Sequence, residues 1–130
     1  MGDQVKRQVV STDAAPKAFG PYSQAVWAGD LLFCAGQIPL DPATGNMVVG
    51  GITEQTTRVL ENIRALLRSQ NLDFANVVKT TVFLTDLNHF PAINAVYAQF
   101  FAQAPPARST VQVTRLPKDA LVEIEAIACR

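Results

Sequence analysis

Histidine, cysteine and charge are all scarce in this chain of 130 residues. It has one histidine, His89, and two cysteines, Cys34 and Cys129. A metal site needs several Cys, His or carboxylate ligands close together, so none is expected here. The cysteines form no Cys-X-X-Cys pair, lie inside apolar strand-like runs and read as buried free thiols. With His89 read as a helix-capping or surface residue, Ser23 and Ser109 have no histidine to activate them, and no nucleophilic triad is expected. The chain carries no Gly-X-Ser-X-Gly elbow, no phosphate-binding loop and no dinucleotide fingerprint, and nothing in it calls for a cofactor. His89 falls at the start of an expected helix and reads as a capping or surface residue.

Charged residues make up 17 % of the chain, below the usual ~25 %. Eleven Lys and Arg balance eleven Asp and Glu, and the basic residues are scattered. Nucleic-acid binders are normally basic and clustered, so nucleic acid is a poor first partner. A small domain with few charges often covers part of its surface with copies of itself. No apolar run approaches the ~20 residues of a membrane span. The start, Met-Gly-Asp-Gln-Val-Lys, has no signal-peptide core and no Ser or Thr at the sixth position for myristoylation. A cytoplasmic protein is expected. The length suits one domain, residues 1–130, able to bury a core without staples.

What is present is mostly periodic. Strands are expected over Gln4–Val10, Gln24–Trp27 and Leu31–Gln37, the last apolar on both faces and so buried on both sides. Thr53 is placed as the N-cap of a helix whose stripe is Val59, Leu60, Ile63, Leu66 and Leu67, ending near residues 69–71. Val77–Leu84 alternates as a strand. Phe90–Phe101 is a second helix with Pro91 in its first turn and a stripe of Ile93, Val96, Tyr97, Phe100 and Phe101. Arg108–Val113 and Leu121–Cys129 complete the order β-β-β-α-β-α-β-β. Two helices cannot cover both faces of six strands. An α+β fold is expected, with both helices on one face and an apolar open face that includes Phe83 and part of the Leu31–Ala35 run.

Three segments could carry chemistry. If the last two strands pair as a hairpin, Arg108 shares the face away from the helices with Glu123 and Glu125, while Val122, Ile124, Ala126 and Ala128 face inward. An arginine is well shaped to grip a small carboxylate, and a glutamate can hold water as a base. The same pattern also fits a cross-strand ion pair on a solvated face. The loop Phe19-Gly20-Pro21-Tyr22-Ser23-Gln24 can hold Tyr22 over a pocket or against the core edge. Gly36, in Cys34-Ala35-Gly36-Gln37-Ile38-Pro39 at the end of a strand, allows close approach of a ligand to the backbone or marks a bulge or turn.

These blocks converge. Gly20–Ala25, Gly36-Gln37-Ile38-Pro39, Asp41-Pro42-Ala43-Thr44-Gly45, Val78–Leu84, Pro106-Ala107-Arg108-Ser109, Leu116-Pro117-Lys118-Asp119 and Glu123-Ile124-Glu125-Ala126 resemble, in order and spacing, the RidA (YjgF) proteins of the Rid superfamily. The resemblance implies a chorismate-mutase-like fold and a homotrimer with sites in clefts between subunits. It implies hydrolysis of 2-imino acids such as 2-iminobutanoate and 2-iminopropanoate, or their enamine tautomers, to 2-keto acids and ammonia. It gives Arg108 the substrate carboxylate, Glu123 the water, and Tyr22, Gly36 and Thr110 the pocket wall. Many relatives carry cysteine at the position of Thr110 and serine at that of Ala35, which bears on substrate preference. The other readings are a metabolite-binding or regulatory protein and a nuclease or translation inhibitor. Zero net charge and the missing catalytic histidine count against the last.

Overall fold

The computed structural model describes residues 6–130. Its elements are β1 (Arg7–Val10), β2 (Ala25–Ala28), β3 (Leu31–Gln37), α1 (Ile52–Ser69), β4 (Val77–Leu84), α2 (Phe90–Phe100), β5 (Ala107–Gln112) and β6 (Val122–Cys129), with short 3₁₀ turns before β4, α2 and β6. The expected beginning of the first strand at Gln4 lies outside the described residues. The strands form one sheet in the order β1-β2-β3-β6-β4-β5. Among the described strands only β4 and β5 pair in parallel; their connection is α2. The chain is thus α+β, a six-stranded mixed sheet with two helices on one face.

The stripe expected for α1 is the core. Val59, Leu60, Ile63, Leu66 and Leu67 are fully buried, facing Val122, Ile124, Ala126 and Ala128 of β6. The helix starts earlier than Thr53. Gly51 is its N-cap, and the Glu54 carboxylate accepts from the Gly51 N–H at 2.8 Å. Gly50, at φ 124°, makes the sharp entry that moves the cap forward, so Thr53 sits inside the first turn. From α2, Ile93, Val96 and Tyr97 enter the same core. His89 occupies the N-cap position of α2, as expected, but its side chain makes no capping hydrogen bond.

The opposite face of the sheet is open in the single chain. Val9, Phe33 and Val111 are all more than two-fifths exposed there, and Leu31 is exposed beside them. The expectation that β3 is buried on both sides therefore fails for one chain: its Leu32 and Cys34 face the core while Leu31 and Phe33 do not. Cys34 is a buried free thiol whose pKa burial pushes up to about 12; Cys129 is free but only partly buried.

Candidate active site in two halves

β5 and β6 are not a hairpin. β4 lies between them, parallel to β5 and antiparallel to β6. The reason is the α2 crossover, which returns the chain beside β4 in the same direction. This changes the face of Arg108. It stands opposite Thr80, and Thr110 opposite Val82, both on the helix-covered side. Glu123 stands opposite Phe83 and Glu125 opposite Thr81, on the open side. Within one chain Arg108 and Glu123 are therefore on opposite faces of the sheet, and the shared face expected for them is corrected. The cross-strand ion pair falls with it.

The Arg108 half is built by β5 and α2. Its guanidinium carbon lies 4.8 Å from the centre of the Tyr97 ring and 5.3 Å from that of Phe90. Arg108 is half-buried, yet its guanidinium has no hydrogen bond or ion pair among the described residues. Two residues on, the Thr110 hydroxyl is buried and unpaired among the described residues. Beneath them Tyr97 Oη and Thr80 Oγ1 share a 2.7 Å hydrogen bond. Burial raises the Tyr97 pKa, partly offset by Thr80 and by the Arg108 charge.

The Glu123 half is built by β3, β6 and the loop before β2. The β3–β6 pairing slips between Cys34 and Gln37, a bulge at Ala35–Gly36. The bulge reading of Gly36 holds, and what approaches its backbone within the chain is the Glu123 side chain. A methyl at Gly36 would stand 2.8 Å from Glu123 Cδ and closer still to Oε2. Burial raises the Glu123 pKa, and the nearby Glu125 carboxylate raises it further. Tyr22, Gly36, Phe19 and Ile38 line one small pocket. Tyr22 Oη accepts from the Phe19 N–H at 3.3 Å, and the two rings meet edge to face. Gln24 fixes this loop. It is buried, donates to the carbonyls of Thr12, Ala15 and Pro16, and accepts from the Thr12 N–H at 2.7 Å.

The structure thus places Gly36 against Glu123 and, in one small pocket, beside Tyr22, and it separately places Arg108 and Thr110 on one side of β5. Sequence reasoning missed Phe90, Tyr97 and Thr80 around Arg108, and Gln24 behind Tyr22. Phe90 and Tyr97 are two helical turns apart and share a stripe, but only the β4–β5 register reveals that the stripe meets an arginine. Among the described residues, no group of three or more His, Cys, Asp or Glu could hold a metal ion. No described helix is long and apolar enough to cross a membrane.

Residues 12–130 match the family described as Endoribonuclease L-PSP. The chain belongs to this family, the RidA (YjgF) family. It is 54 % identical over 122 residues to a RutC family protein of Pyrococcus horikoshii, covering 94 % of this chain and 97 % of the relative. It is 47 % identical over 122 residues to the 2-iminobutanoate/2-iminopropanoate deaminase of Homo sapiens, covering 94 % of this chain and 89 % of that one. The crystal structure of E. coli TdcF with bound serine superposes with a TM-score of 0.90 at 46 % identity, covering 95 % and 98 % of the two chains. As a RidA-family fold, the chain shares the six-stranded sheet and two helices of its solved relatives.

Proposed function

We propose that the chain is a 2-imino acid deaminase, a hydrolase acting on 2-iminobutanoate and 2-iminopropanoate, and that its sites form between copies in a homotrimer. The observation that carries this reading is Arg108, a half-buried guanidinium with no acid partner among the described residues. Its donors are left for an external carboxylate, which arginine grips in two prongs. The mammalian relatives named for this activity support the reaction class.

One chain holds the two halves on opposite faces, so a complete site needs Arg108 and Thr110 from one copy and Tyr22, Gly36 and Glu123 from the next. Such a contact is head-to-tail, which closes into a ring when the rotation between copies is a whole fraction of a turn, one third for a trimer. The open apolar face with Val9, Phe33 and Val111 gives the neighbouring copy a surface to cover.

In the assembled site Arg108 fixes the substrate carboxylate and so the adjacent imine carbon. Glu123 takes a proton from water as the oxygen adds to the carbon of the protonated imine, and the C=N electron pair moves to nitrogen to leave a neutral amine. Glu123 then returns its proton to the amine nitrogen of the tetrahedral carbinolamine, the C–N bond breaks as the hydroxyl oxygen forms the carbonyl, and the hydroxyl proton leaves with the ammonia as ammonium. Tyr22 and the backbone near Gly36 and Thr110 close the pocket. Imines already hydrolyse in water, so positioning and modest proton transfer suffice.

The test is a coupled assay in which a dehydratase releases the imine from threonine or serine. Wild type speeds keto-acid formation, and Arg108→Ala falls to the rate of buffer alone. Full activity in Arg108→Ala overturns the assignment. Keto-acid binding by wild type with no acceleration moves the chain to a metabolite-binding module.

A further inference from the structure

The deaminase reading gives Arg108 a ligand but does not say what holds the arginine ready for it. Arginine has a long side chain with many rotamers, and on an edge strand nothing in the β-ladder restrains its end. Here two rings from one helix do. Tyr97 and Phe90 lie within 5.3 Å of the guanidinium carbon. They are seven residues apart, on one stripe of α2. The Tyr97 ring is in turn tied to the sheet through its hydroxyl, 2.7 Å from Thr80 Oγ1. Thr80 is the residue that faces Arg108 across the β4–β5 ladder, and it is 1 % exposed. The loop closes on itself: Arg108 to ring, ring to Thr80, Thr80 to Arg108 through the backbone.

We propose that Thr80, Tyr97 and Phe90 are positioning residues that aim Arg108 before substrate arrives. Rings engage the face of a guanidinium and leave its in-plane N–H donors unused. That is the orientation a planar carboxylate requires. Lysine in place of Arg108 has no such face to stack, so the device is specific to the guanidinium. The Thr80 bond keeps the Tyr97 ring from tilting away from the arginine.

This inference rests on the deaminase reading only for its effect on turnover, so the clamp itself is measured without catalysis. In unliganded wild type, the NMR resonances of the Arg108 guanidinium are displaced by ring currents. Tyr97→Leu and Phe90→Ala move them toward free-arginine values, and Tyr97→Phe largely keeps them. Dissociation constants for 2-oxobutanoate, the keto acid product, rise about tenfold in Tyr97→Leu and about threefold in Tyr97→Phe. In 2-oxobutanoate binding, Tyr97→Leu added to Arg108→Lys, which keeps a charge but has no guanidinium to stack, weakens affinity no further than Arg108→Lys alone. A packing role with no link to Arg108 gives additive losses instead, and additivity overturns the proposal. So do unchanged Arg108 resonances in Tyr97→Leu. Phe90 is 37 % exposed, so Phe90→Ala keeps the test decisive if Tyr97→Leu does not fold. A wild type that shows the ring-shifted resonances but no acceleration defeats the deaminase reading and leaves the clamp standing.

Discussion

Glu123 is the residue where the stability of the fold and the proposed chemistry pull in opposite directions. Burial, then the neighbouring Glu125, raises its pKa above that of an ordinary carboxylate. A raised pKa means that the folded chain holds this proton more tightly than the unfolded chain does. The group therefore favours folding below its unfolded pKa and loses that advantage as pH rises through its folded pKa. A base must be ionised to accept a proton from water, so turnover rises with pH over the same window, above the ordinary carboxylate range near ~4.3. Glu123→Gln is expected to lower kcat/KM about 10²-fold and to abolish that acid limb. It is also expected to melt at a higher temperature than wild type at pH 7, with the difference shrinking toward pH 4. A variant that loses activity and melts lower at pH 7 removes Glu123 from this role.

At the scale of elements, the bulge in β3 is what lets Glu123 lie across the backbone. Gly36→Ala places a methyl against the end of a flexible side chain rather than against backbone. The fold is expected to tolerate it, with melting within a few degrees of wild type, while the carboxylate is pushed aside and kcat falls about tenfold or more. Unchanged kcat separates Gly36 from the site. The elements themselves were legible because periods of 2 and 3.6 are local: the α1 stripe and the alternation of β6 match the buried rows of the core. The face of Glu123 was legible for the same reason, since Val122, Ile124, Ala126 and Ala128 mark the opposite side. β5 offers no such row. Its apolar Ala107 and Val111 point to the open face, and Arg108 and Thr110 point toward the helices. The pattern thus reads backwards on that strand. Only the order β6-β4-β5, a non-local fact set by the α2 crossover, corrects it.

For the whole molecule, the separation of Arg108 from Glu123 makes a prediction that no property of one chain can imitate. If each site of the proposed homotrimer takes Arg108 from one copy and Glu123 from its neighbour, then Arg108→Ala trimers and Glu123→Gln trimers are each impaired for a different half. Dissociated together in denaturant and refolded as a 1:1 mixture, the two variants pair at random around the ring. At an interface where the Glu123→Gln chain supplies the arginine and the Arg108→Ala chain the glutamate, the site is intact. Random assortment makes about one interface in four of this kind, so the mixture is expected to recover about a quarter of wild-type activity. Each variant refolded alone stays at its own low rate. A site that used both residues of the same chain would give no recovery, because every chain in the mixture carries one lesion. Activity that stays at the level of the separate variants, in mixtures shown by native mass spectrometry to contain mixed trimers, therefore sinks the shared site. Recovery near one quarter ties the open apolar face, the opposed halves and the oligomer into a single requirement for turnover.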